Sequence, residues 1–230
     1  MMLRLLIAVA VAACLVAVPR ATAAAGCPPG GAPVPPGAAT RQISDVDGDG
    51  LPDTLWVGKW QSPDGAMTRA VGIATASGAD SHVPVVSASP IPLRALAIDA
   101  QNGHQVIASV GRSAPLFAFA DCRLQTVLDS HYGRPFVFDL ENLAGNGTGV
   151  GCSETGGERH LVALQVALQA LESGGQWTVR RTEIDLNGLR AATGASDTLT
   201  ATSAQDPAVT TAQTISCGER TIDQDGVQEP

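Results

Sequence analysis

Three observations predict an all-β fold built from short antiparallel sheets. Short apolar or alternating runs recur along most of the chain. Gly, Pro, Ser and Asp punctuate them, as turn residues do between strands. An Asp/Asn/Gly-rich loop enters such a run three times, beginning at Asp45, Asp99 and Cys152, spaced 54 and 53 residues apart. A fixed period with the same loop-then-strand order is the mark of a repeated supersecondary unit.

The first segment, residues 1–23, reads as a secretory signal peptide. Arg4 supplies the charged start, Leu5 to Val18 the apolar centre, and Ala21-Thr-Ala23 a small-residue cleavage site. The apolar run is short and wrongly flanked for a membrane span, and no later stretch is apolar enough to cross a bilayer. Val11-Ala-Ala-Cys14 and Ala24-Ala-Gly-Cys27 each resemble a lipidation site in part. The first lies inside the apolar run and the second lacks the usual preceding Leu, so ordinary cleavage is the expectation. The exported chain is expected to be secreted or extracellular, with cell-envelope association left open.

Residues 24–40 hold Pro28, Pro29, Pro33, Pro35 and Pro36 with interleaved Gly, the composition of an extended linker. Residues 41–218 are expected to form the β-repeat domain, and residues 219–230, short and polar, a disordered tail.

The loop Asp45-Val-Asp47-Gly-Asp49-Gly50-Leu51-Pro-Asp53 carries the main chemical signal. Carboxylates fall at positions 1, 3, 5 and 9, a backbone carbonyl is available at Leu51, and Gly50 permits the sharp turn. Hard cations such as Ca²⁺ take six to eight oxygen ligands, and alternate residues of a tight loop can supply them. Without a cation, these carboxylates would repel one another. An EF-hand needs a Glu at position 12 and a following helix. Here position 12 is Trp56, and Thr54 to Trp60 reads as a strand. The plain alternative is an Asp/Gly surface turn that binds nothing.

The pattern D-x-D-x-D-G-x-x-D followed by a strand resembles the FG-GAP or VCBS repeat, the unit of integrin-alpha-type propellers. It is also similar to the opening of secreted actinobacterial proteins with degenerate copies of that repeat. The resemblance implies that Asp45, Asp47, Asp49 and Asp53 bind Ca²⁺ and that each repeat forms a β-blade. Three to four blades would then make a partial or small propeller. The later loops keep few ligand types: Asp99 and Asn102 in the second, and Glu154 in the third, where Cys152 and His160 replace Asp45 and Asp53. One competent metal site and two loops that only turn the chain are expected.

Between the loops, strands are predicted over Ala66–Ala76, His82–Ser87, Leu93–Ile98, Gln105–Val110, Pro115–Ala120, Leu124–Leu128 and Phe136–Leu140. Leu161–Leu171 has the Ala, Leu and Gln of a helix. Its place after a repeat loop, and the alternating run Trp177–Ile184 that follows a Gly-containing turn, predict a hairpin instead. Residues 191–214 show little periodicity and read as a ragged strand pair or a loop.

Cys27, Cys122, Cys152 and Cys217 remain after the leader. Four cysteines in an exported chain predict two disulfides with three pairings open. The favoured pairing is Cys122–Cys152, which leaves Cys27–Cys217 to tie the ends together. No C-x-x-C pair points to zinc or redox chemistry.

Of the 14 Lys and Arg residues, Arg4 and Arg20 lie in the leader, which leaves 12 against 22 Asp and Glu, a net of −10. Such a surface does not suit nucleic acid or anionic lipid. No nucleophile, zinc or phosphate-loop motif is present, and His82, His104, His131 and His160 stand isolated in sequence. The expected function is an exported, non-catalytic calcium-binding module whose partner is an unknown protein or envelope component. The alternative is an envelope-associated hydrolase or an accessory domain of one.

Overall fold

The computed structural model describes residues 26–140, 147–171 and 174–230. The predicted signal peptide lies outside these residues. The all-β expectation holds, with three antiparallel meanders formed in chain order and none closed into a barrel.

The first sheet runs β1 (Ala39–Gln42), β2 (Thr54–Gln61), β3 (Met67–Ala74), β4 (Asp80–Pro84) in spatial order. The second is built on β5 (Arg94–Ala100), β6 (Gly103–Ser109), β7 (Ser113–Ala120) and β8 (Arg123–Thr126). Two short strands, β9 (Leu128–Asp129) and β10 (Val137–Asp139), lead out of it, and β10 returns to pair with β7. The third sheet holds β11 (Gly147–Thr155), β12 (Glu158–Leu171), β13 (Gly174–Asn187) and β14 (Arg190–Ala201), with β9 added in parallel at one corner. A short helix, α1 (Pro207–Thr211), and the strands β15 (Ser216–Cys217), β16 (Arg220–Thr221) and β17 (Val227–Gln228) complete the chain.

The sheets stack, and strand alternation shows how. Successive side chains of a strand point to opposite faces. In the second sheet, Ala95, Ala97, Val106, Ala108, Phe117 and Phe119 form one core with Leu55, Val57, Val71 and Ile73 of the first. The residues between them, Leu96, Ile98, Ile107, Leu116 and Ala118, form another with Val150, Leu161 and Ile184 of the third. The second sheet is therefore covered on both faces. The outer face of the third sheet carries Val162, Leu164, Val166 and Val179, covered by Val209 and Ala212 at α1. On the first sheet, Gly72 lies against the fully buried Trp56 indole, where a Cβ would come within 2.3 Å of the ring.

Leu161–Leu171 is a strand as predicted, aligned with β13 from Leu161↔Ile184 to Leu171↔Gly174. Burying Leu161 and Val166 opposite Ile184 and Val179 outweighs the helix preference of its Ala, Leu and Gln. Within 191–214, residues up to Ala201 belong to strand β14, and the rest contains α1. The helix has a readable start: the Asp206 side chain accepts from the Ala208 amide, and Pro207 occupies the first turn.

Three expectations are corrected. The disulfides are Cys27–Cys122 and Cys152–Cys217, in place of Cys122–Cys152 and Cys27–Cys217. Stacking is the reason: Cys122, at the β7–β8 turn, packs against the core shared with the first sheet. Cys152 on β11 meets Cys217 on β15. The described part of the Pro/Gly stretch is fastened rather than free. Cys27 is buried and disulfide-bonded, and Gly30 exchanges backbone hydrogen bonds with Gly78 and Asp80 at 3.0 and 2.7 Å. The disulfide also occupies the Cys27 sulfur that lipidation would need. Finally, residues 219–230 are built into the fold. Ile222 and Val227 are buried, β17 pairs with β5, and Glu229 holds Arg69 at 2.8 Å.

Candidate metal centre

The Asp45–Asp53 loop joins β1 to β2, two neighbours in the first sheet. A hydrogen bond from the Ile43 amide to the Asp53 carbonyl, 2.8 Å, closes its base. Within it the carboxylates organise the backbone. Asp45 accepts from the amides of Asp47 (3.2 Å), Gly48 (2.7 Å) and Gly50 (2.8 Å). Asp47 accepts from the Asp49 amide at 3.2 Å, and Asp49 from the Leu51 amide at 2.7 Å. Gly48 and Gly50 have φ of 79° and 86°, which glycine adopts without the Cβ penalty of other residues.

These contacts turn Asp45, Asp47 and Asp49 toward one another. Each offers an oxygen, and the three oxygens lie within 4.8 Å of one another at half-buried positions. Oxygens bound to a single Ca²⁺ at about 2.3–2.6 Å lie no more than roughly 5 Å apart. The spacing and donor type therefore fit a hard divalent cation. Among the described residues, this is the one group of three or more His, Cys, Asp or Glu side chains that meets such a spacing.

Asp47 also connects the loop to its surroundings. Its Oδ2 accepts from the Cys27 amide at 2.8 Å and from the Ser77 hydroxyl. Burial opposes its ionisation, but the donors Ser77, Cys27 and Asp49 outweigh that and hold the carboxyl below its ordinary range.

Asp53 is placed differently from the other three carboxylates. It is completely buried and lies outside the converging group. Its Oδ2 accepts from the Val46 amide and its Oδ1 from the Ala76 amide, both at 2.7 Å. The side chain therefore braces the loop against the β3–β4 turn. Burial is the main cause that pushes its pKa up, with the Asp47 and Asp45 charges adding to it, against the pull of the two amides. The Leu51 side chain is exposed at the loop tip.

The two later loops are two-residue hairpin turns. Gln101 and Asn102 (φ 49° and 55°) join β5 to β6, and Gly156 and Gly157 (φ 63° and 84°) join β11 to β12. The second turn nevertheless meets the first loop on one side and the third turn on the other. Ser44, next to Asp45, donates to Asp99 at 3.0 Å. The Asn102 side chain donates to Glu158 at 2.8 Å, and the Gln101 amide to the Arg159 carbonyl at 2.8 Å. Glu154 pairs with Arg159 across the third turn at 3.1 Å.

His104 is not isolated, as its sequence context implied. Its Nδ1 lies 2.7 Å from Asp99 Oδ1. That bond is the largest cause that raises the imidazole pKa and lowers the carboxyl pKa. Ser44 donates to the same carboxylate, so its hydroxyl is not a nucleophile activated by the imidazole. His82 packs against Trp60 with tilted rings, centroids 4.5 Å apart, and burial lowers its pKa. The partners Cys27, Ser77, Ala76 and Ser44 left no local signal, being 20 to 55 residues from the carboxylates they serve.

Comparison with known protein families, characterised proteins and solved structures returned no match. Two disulfides fit an oxidising compartment. No helix among the described residues is long and apolar enough to cross a membrane.

Proposed function

We propose that the chain is an exported, non-catalytic β-repeat module of the FG-GAP or VCBS kind, with Ca²⁺ bound at the Asp45–Asp53 loop. The observation that carries this reading is the convergence of the Asp45, Asp47 and Asp49 oxygens within 4.8 Å. Those three carboxylates would be the side-chain ligands, and the Leu51 carbonyl would supply a backbone oxygen. Asp53 would serve by bracing the loop. The stacked meanders would correspond to consecutive blades, and the turns at Asp99 and Gly156 to repeats that no longer bind metal. Bound Ca²⁺ neutralises the facing carboxylates and fixes the turn that feeds β2. The module's partner would be another exported protein or an envelope component.

A weak site suffices outside the cell, with a Kd of about 10⁻⁴–10⁻³ M. At 10 mM Ca²⁺ mass action then adds about 1.4–2.7 kcal/mol of stability. For a domain of this size that raises Tm by roughly 3–10 °C. The test is thermal unfolding in EGTA against 10 mM CaCl2. Identical melting temperatures would remove the metal from the account.

The Asp99–His104 pair favours a second reading. It lines a groove of about 330 Å³ with Asn102, Glu158 and Arg159, where an oriented imidazole has the makings of a general base. The reading is an envelope-associated hydrolase or an accessory domain. Turnover of chromogenic ester, glycoside or peptide substrates that His104→Gln abolishes would establish it.

A further inference from the structure

The third sheet has an edge that the rest of the fold leaves open. Other strand edges carry short backbone partners as well. Strand β5 is paired by β17, and β4 faces the Gly30 segment, which bridges to Ala79. Strand β11 is met by Ile215. Strand β14 has an outer partner only at Arg190 and Ala191, where β9 pairs with it. A bulge opposite Thr182–Ile184 interrupts its inner ladder. Beyond the bulge, Ser196 to Thr200 is regular, exposed strand with no outward backbone partner among the described residues. Natural edges are usually guarded by Lys, Pro or inward charge. This stretch contains neither Lys nor Pro, and its one charge, Asp197, is engaged by Arg181 with an Nε–Oδ1 distance of 2.8 Å.

The side chains beside the edge specify what fits there. On one face Leu199 is 37% exposed and stands opposite Val179. On the other face Thr198 stands opposite Arg180, which is exposed and has no acidic partner among the described residues. Neighbouring strands are about 4.8 Å apart, so the long Arg180 side chain can reach past Thr198 to a strand laid against β14. An acidic side chain on that added strand would meet it, while apolar neighbours in sequence would meet Leu199.

We infer that the Ser196–Thr200 edge of β14 docks an extended segment of another polypeptide, in which apolar residues alternate with an acidic one. Main-chain hydrogen bonds supply the affinity and the alternating side chains the choice of partner. A second copy of this chain does not satisfy the site. Antiparallel pairing of two β14 edges, with faces kept continuous, brings Ser196, Thr198 and Thr200 to the Arg180 side, and all three are neutral.

The probes are two capped pentapeptides, acetyl-Thr-Val-Glu-Val-Thr-amide and its counterpart with Lys in place of Glu. Binding is read by fluorescence anisotropy of labelled peptide and by amide hydrogen exchange. The Glu peptide is expected to bind at least tenfold more tightly and to protect amides in residues 196–200. Arg180→Glu, at an exposed position where the fold tolerates change, is expected to reverse the preference. The inference is overturned if neither peptide protects the edge at 1 mM, or if both bind alike. It is equally overturned if R180E leaves the preference unchanged, or if the free protein already protects that edge as a dimer. None of these readouts depends on the metal loop.

Discussion

The second and third sheets are both antiparallel meanders, yet they are stabilised differently. The second lies between the other two, and its strands read as nearly continuous apolar runs such as Leu116-Phe-Ala-Phe119. Alternate residues of that run enter opposite cores. The third lies at the end of the stack. Leu161 is buried toward the second sheet and Val162 beneath the cover that includes α1, while Leu168, seven residues on, is 47% exposed. A strand's sequence thus reflects its cover: β7 and the start of β12 are covered on both faces and both read as apolar runs, while Leu168 lies where β12 becomes exposed. At the end of the stack β14 keeps an open edge over Ser196–Thr200, while β17 pairs with β5 at Arg94 and Ala95.

The largest expected effect tests that contrast. Leu116→Ala empties a fully buried position and should cost about 2–5 kcal/mol. Leu168→Ala, at its exposed position, should cost less than about 1 kcal/mol. Urea unfolding of both variants measures the difference, and equal losses would contradict the layering.

A smaller loss is expected from Asp53→Asn. One of two buried amide donors, Val46 or Ala76, would then face an NH2 group instead of an oxygen. The penalty for a buried donor without an acceptor is about 1–3 kcal/mol. The variant should lower Tm in EGTA as well as in Ca²⁺, because the brace serves the loop with or without a cation. A loss confined to Ca²⁺ would instead make Asp53 a ligand.

The smallest effect concerns pH. The raised His104 pKa makes its contribution full below about pH 6.5, and that contribution fades as pH rises through the folded value. The lowered Asp99 pKa makes its contribution full above about pH 3.9, and that contribution is lost as pH falls through the folded value. The pair therefore stabilises between those limits. Both side chains are more than a third exposed, so less than about 1 kcal/mol is expected. His104→Gln should be less stable than the parent near pH 5.5, with the gap closing at pH 9. A gap that persists at pH 9 would assign His104 a packing role.

What could be read in advance follows the range of each interaction. Strands and turns announce themselves within a few residues, so the hairpin of β12 and β13 was legible despite its Ala and Leu. The convergence of Asp45, Asp47 and Asp49 was legible too, since alternate residues of a tight loop face one centre. The role of Asp53 was not, because Ala76 lies 23 residues away. Disulfide pairing depended on which sheet faces each cysteine, and spacing along the chain carries no such information. The C-terminal segment misled because Ile222 and Val227 are its only large apolar residues, yet both are buried.

Calorimetric titration of Ca²⁺ into EDTA-stripped protein asks the decisive question of the loop. One saturable site with a Kd of about 10⁻⁴–10⁻³ M is expected, weakened at least tenfold by Asp49→Asn. That carboxylate makes only the short turn contact to Leu51, so the variant should keep its fold. A natively folded parent that shows no saturable binding, or a D49N variant that binds as the parent does, would contradict a metal role for these carboxylates.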